Sequence, residues 1–125
     1  MSSLAANFDL ANGYNVLRII CGLFFIPHIV GKVTEPATLG FFVKAGFKPA
    51  KTWMTIAGVV ETVLTIGLVF GIYTAYVAAI AAIHLAVAAA ATYKVTGKWI
   101  WVIGGIEYCV FWALCCAIVA MHWWP

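Results

Sequence analysis

Four side chains suited to proton chemistry sit inside apolar runs of this sequence. The segment Leu23–Lys32, LFFIPHIVGK, carries His28 and, one helical turn later, Lys32. Glu61, His84 and Glu107 each lie in a separate apolar run, and Arg18 stands near the start of the first one. Histidine and glutamate accept and release protons and hydrogen-bond to carbonyls. A charge turned toward lipid at mid-helix costs ~3 kcal/mol or more, so such groups are expected to face one another.

The elements that must hold them follow from composition. Of 125 residues 66% are hydrophobic and 9% charged, and the mean hydropathy is +1.06. A soluble domain is about 45–50% apolar and about 25% charged, so lipid is expected to be part of the solvent of this single domain. A spanning helix needs about 20 apolar residues. Four stretches approach that length, at about 14–30, 53–70, 72–93 and 99–122. Tyr14, Trp53, Tyr73, Tyr93, Trp99, Trp101, Trp123 and Trp124 bracket them as interfacial anchors. Gly71 leaves room only for a tight turn between the second and third. The longest link contains EPATLGFFVKAGFKP, in which Pro36 can open a short amphipathic helix and Phe41, Phe42 and Phe47 can dip into the interface. The expected fold is all-α, an integral membrane up-down-up-down four-helix bundle with this short segment between spans one and two. In the third span Ala78, Ala82, Ala86 and Ala90 repeat every four residues, as close helix packing requires.

Four spans put both termini on one side, side A. Side B carries Lys32, Lys44, Lys48, Lys51, Lys94 and Lys98, which makes it cytoplasmic by the positive-inside rule and the termini exported. The first 13 residues hold no Lys or Arg, so a signal peptide is not expected and the first run is kept. A formal charge of +3, from 7 basic and 4 acidic residues, is too small and too scattered for a nucleic-acid partner.

At 1.5 Å per residue, His28 is roughly 9 Å from side B, and Glu61, His84 and Glu107 are each about 12 Å from it. Each span thus offers one ionisable group in one layer, the two histidines across one diagonal of a square bundle and the two glutamates across the other. Lys32 and Arg18 are the cations that could compensate a glutamate. Three readings fit. The first is a hydrogen-bonded network that fixes helix register. The second is a redox or proton-coupled site, such as one for a quinone headgroup, whose two carbonyls need hydrogen-bond partners and a proton route to water. The third is a metal or haem, with His28 and His84 as axial imidazoles. Glu-x-x-His pairs of di-iron bundles are absent, since Leu64 follows Glu61 by three and Val110 follows Glu107 by three. His122, among terminal tryptophans, reads as interfacial. Cys21, Cys109, Cys115 and Cys116 form no C-x-x-C pair and read as small buried hydrophobes.

These features together resemble the DoxX family of small four-span membrane proteins, over roughly Leu17 to Val119. LRIICGLFFIPHIVGK is similar to the family's opening signature of Arg, Gly four residues on, an apolar stretch, His, and Lys four later. AGVVETVLTIGLVFGIYT is similar to its second span, and GGIEYCVFWAL to the opening of its last. Arg18, His28, Lys32, Glu61 and Glu107 match the pattern. His84 matches no motif of it, and the turn GIYTAY lacks the arginine common there. The resemblance implies a context in membrane redox metabolism, since members are associated with a thiosulfate:quinone oxidoreductase and with oxidoreductase complexes of thiol stress. The expectation is a membrane subunit, accessory to or quinone-interacting in such a complex, in a bacterial plasma membrane with protein partners or as a homo-oligomer. The alternatives are a small proton-coupled transporter and a non-catalytic scaffold. Any enzymatic role is at most that of a subunit.

Overall fold

The computed structural model describes residues 4–99 and 102–125, and among these the chain is helical, with no strand. A short 3-10 helix, Leu4–Phe8, precedes α1 (Gly13–Leu23), α2 (Phe25–Thr34), α3 (Pro36–Lys44), α4 (Ala50–Phe70), α5 (Thr74–Thr96) and α6 (Glu107–Trp123). Three segments, Gly13–Thr34, Ala50–Phe70 and Thr74–Thr96, are long and apolar enough to cross a membrane, and α6 is a shorter apolar helix of 17 residues, about 25 Å long. The chain is therefore an all-α integral membrane bundle. Part of the expected fourth span, including the anchor Trp101, falls on residues 100–101, outside the described residues. The helix described there begins at Glu107 rather than at Trp99.

The first span is broken at Phe24, between α1 and α2. Pro27 explains the position. It has no N–H for the carbonyl of Leu23, four residues back, and its ring crowds that carbonyl. A broken backbone in lipid needs other partners for its polar groups. Trp112 Nε1 of α6 donates to the Cys21 carbonyl, in the last turn of α1, at 3.1 Å.

Around the bundle α1 and α2 pack on α4, α4 on α5, α5 on α6, and α6 returns to α1, which is the square order expected of four antiparallel spans. A Cβ at Gly22 would lie 2.9 Å from Leu68 Cβ, so α1 and α4 approach as closely as they do because this residue has no side chain. The α4–α5 turn is set by Gly71 at φ +73°, which caps α4 with its N–H on the Gly67 carbonyl.

On α5 the buried face is Ala75, Ala78, Ala81, Leu85 and Ala89, not the expected row of every fourth residue. Ala78 belongs to both sets, but Ala86 and Ala90 are exposed. The row that stays buried, Ala81, Leu85 and Ala89, has the same spacing but is displaced by one residue, about 100° around the helix. The core that closes the side A half contains Phe25, Leu64, Leu68, Leu85, Trp112, Cys116 and Val119. The four cysteines are free, with Cys21, Cys109 and Cys116 buried and Cys115 half-buried.

Pro36 does open α3, as its fixed φ favours. Its aromatic residues, however, turn toward the bundle instead of outward. Phe42 is buried, with its ring 5.8 Å from Phe41 and 5.4 Å from Phe47, and Phe47 lies 6.0 Å from Trp53 of α4.

Candidate functional site

Glu61 lies on the inner face of α4 at 5% exposure. Its Oε1 is 2.7 Å from Lys32 Nζ on α2, and its Oε2 is 2.9 Å from His84 Nε2 on α5. Three helices thus meet on one carboxylate. Taking a carboxylate out of water costs several kcal/mol unless it is paired and hydrogen-bonded, and here Oε1 is ion-paired with Lys32 without a well-directed hydrogen bond, while Oε2 shares a hydrogen bond with His84. Lys32 and Glu61 carry opposite charges across the 2.7 Å contact.

His28 sits one turn before Lys32 on the same face of α2. Its ring stacks in a tilted arrangement 5.3 Å from Trp112 and lies 6.3 Å from Tyr108, nearly parallel to it. Phe25, fully buried, packs at 4.4 Å on Trp112 and meets the His84 ring edge-on at 6.1 Å. His28, Lys32, Glu61 and His84 form one polar floor, and it lines a cavity of about 520 Å³ on the side B half of the bundle. The walls are apolar. Trp53, Ile56, Ala57 and Val60 come from α4, and Leu85, Val87, Ala88 and Ala91 from α5. Tyr108, Cys109 and Trp112 of α6 close one side, and the phenylalanines after Pro36 close another. Ligand pockets commonly measure about 300–1,000 Å³ and combine apolar walls with a few convergent polar groups.

Two residues expected in this centre are elsewhere. Glu107 is not eight residues inside a helix but opens α6, where the positive end of the helix dipole favours a carboxylate. It does not line the cavity, and its Oε2 is buried without a hydrogen-bond partner among the described residues. The single layer of two histidines and two glutamates is thus not assembled: three of the four line the floor. Arg18 compensates neither glutamate. It is fully buried near side A, donates to the carbonyls of Leu68, Val69 (2.9 Å) and Asn7, and lies 5.8 Å from the Trp123 ring. The last carbonyls of α4 lack intrahelical partners and carry the negative end of its dipole, so a guanidinium is held there rather than drawn across the core.

His84 Nε2 is engaged by Glu61, whereas His28 faces the aromatic rings of α6, so the two imidazoles serve different neighbours. The third reading, a haem between His28 and His84, gains no support from that geometry. His122 stacks at 3.7 Å on Tyr14, at side A.

Trp112, Tyr108 and Thr92 line the cavity without having been singled out in the sequence. Trp112 did carry a signal. It sits mid-span, away from the headgroup level that tryptophan prefers, and a buried indole N–H demands a partner.

Lys32, with three N–H donors, and His28, with one or two, can offer a hydrogen bond to a carbonyl placed on the floor. The donor set therefore fits a neutral, acceptor-bearing ring, which the apolar walls can cover. A family model described as DoxX matches residues 13–94, a stretch of 82 residues that carries Lys32, Glu61 and His84 and stops before α6. No curated protein and no solved structure matches the chain.

Proposed function

The chain belongs to the DoxX family, and from that premise we propose that it is a membrane subunit of an oxidoreductase complex whose side B cavity holds the headgroup of a quinone. The observation that carries this reading is the Lys32–Glu61–His84 cluster on the floor of an apolar cavity of about 520 Å³. A bound quinone supplies the capacity to take up electrons with protons. The chain supplies the rest. Lys32 and His28 hydrogen-bond the ring carbonyls, Trp112 and Tyr108 cover the ring, and Glu61 with His84 holds or passes a proton. The packed core beneath the floor supports a binding site rather than a transporter, because transport needs access from both sides. The lysines of side B support a plasma-membrane orientation with exported termini.

The test uses the chain in its native membrane. Purification in mild detergent should bring along a partner with a flavin, haem or Fe–S centre. Glu61→Gln keeps the shape of the side chain but cannot exchange a proton. It is expected to leave assembly intact and to stop quinone reduction by the complex. A Glu61→Gln complex of unchanged activity would make the cluster structural only.

A further inference from the structure

The floor is deeper than the walls. Glu61 lies 11 residues from the side B end of α4, about 16 Å along its axis, and His84 is about 18 Å from the corresponding end of α5. A phospholipid entering from side B would meet this cavity in the wrong order, with apolar walls at the headgroup level and polar groups at depth. A phosphate carried to that depth would also be an ion inside the bilayer, which is costly. A neutral ring that accepts hydrogen bonds fits, provided it arrives through lipid.

The helices leave a way in. From the turn at Gly71, α4 and α5 touch at Gly67 and Val77, where a Cβ on the glycine would meet a valine methyl at 2.9 Å. They meet again at Glu61 and His84. Beyond that the small residues Ala57 on α4 and Ala88 and Ala91 on α5 line the cavity. Beside them Ile56 and Val87 line the same cavity and stay 45% and 56% exposed, as Trp53 and Tyr108 do elsewhere on its rim. A residue that borders both the cavity and the bilayer marks a side opening.

We propose that the cavity is entered from the bilayer between α4 and α5, at Ile56 and Val87. Its ligand has a neutral ring that lies on the Lys32–Glu61–His84 floor and an apolar tail that leaves through this opening. The inference rests on the reading of the cavity as a quinone site and adds the route and the class of tail. Ile56 is five residues from Glu61, about 7.5 Å along α4, so the tail clears the wall soon after it leaves the ring.

The experiment places the full chain in phosphatidylcholine nanodiscs with two probes. One is 2,3-dimethoxy-5-methyl-1,4-benzoquinone with no tail, and the other is the same ring with a prenyl tail bearing a diazirine. Both should bind, and the tailed probe should crosslink to α4 and α5 around Ile56 and Val87. Val87→Trp, which fills the opening, should lower occupancy by the tailed probe at least tenfold, a clearly larger factor than any loss of the bare ring. Ile56→Trp serves as the second variant. If both probes bind and the tail labels α3 or Gly104–Gly105 instead, or if both tryptophan variants leave the tailed probe unaffected, the side opening is wrong and the quinone site stands. If neither probe binds the folded wild-type chain, the quinone reading itself falls and takes the route with it.

Discussion

A carboxylate at mid-membrane depth is tolerated only with partners, and Glu61 has two of them on two different helices. Removing it leaves the Lys32 ammonium uncompensated, at a cost of about 3–5 kcal/mol. Glu61→Ala should lower the thermal unfolding midpoint in detergent accordingly, and adding Lys32→Met should recover much of the loss, because the orphaned charge goes with it. A double variant no more stable than Glu61→Ala would mean that Lys32 reaches water on its own and that the ion pair contributes little. Arg18 invites a separate test. It satisfies carbonyls at the end of α4 and in the N-terminal 3-10 helix, each costing about 1–3 kcal/mol if left unpaired. Arg18→Met should therefore destabilise strongly while leaving the cavity's ligand binding intact in whatever fraction stays folded. At this scale the sequence marked the ionisable residues and the need for them to face inward. It could not say which pair, because spacing along a helix gives depth well and azimuth poorly. Glu107 shows the limit: its depth was counted from an assumed helix start at Trp99, and the helix starts at Glu107 itself.

Among the elements, three helices long and apolar enough to span a membrane lie where apolar runs mark them, because runs of that length have few soluble alternatives, and α3 was legible because Pro36 suits a first helical position. The break at Phe24 was written in the sequence as Pro27, but the hydrogen bond that Trp112 Nε1 donates to the nearby Cys21 carbonyl was not: the two residues are 91 positions apart and no local pattern connects them. The inward turn of Phe42 was equally non-local: an amphipathic segment can bury its aromatic side in lipid or on the bundle, and only packing decides. The turn at Gly71 makes a sharper prediction. At φ +73° a side chain is strained, and a Cβ would lie 2.7 Å from Asn7 Nδ2. Gly71→Ala should cost more than about 1 kcal/mol, read as a lower unfolding midpoint. An unchanged midpoint would show that the turn relaxes and that the contact with Asn7 is dispensable.

For the whole molecule, the arrangement separates two ends. Side A is packed and anchored by Arg18, Trp123 and the Tyr14–His122 stack. Side B holds the cavity, the amphipathic α3 and nearly all of the basic residues. Reporter fusions should find the C-terminus on the exported side and the α3 link in the cytoplasm. A C-terminal fusion active only in the cytoplasm would reverse the orientation and assign the lysines a role other than topology. The claim on which the functional account turns is that a quinone ring rests on the floor built by Lys32, Glu61 and His84. Its most direct test is purification of the chain from native membranes in mild detergent, followed by solvent extraction and mass spectrometry of bound quinone. The wild type should retain close to one quinone per chain, and a folded Glu61→Ala/Lys32→Met variant at least tenfold less. A folded wild type carrying no more quinone than an unrelated membrane protein prepared in parallel would contradict it.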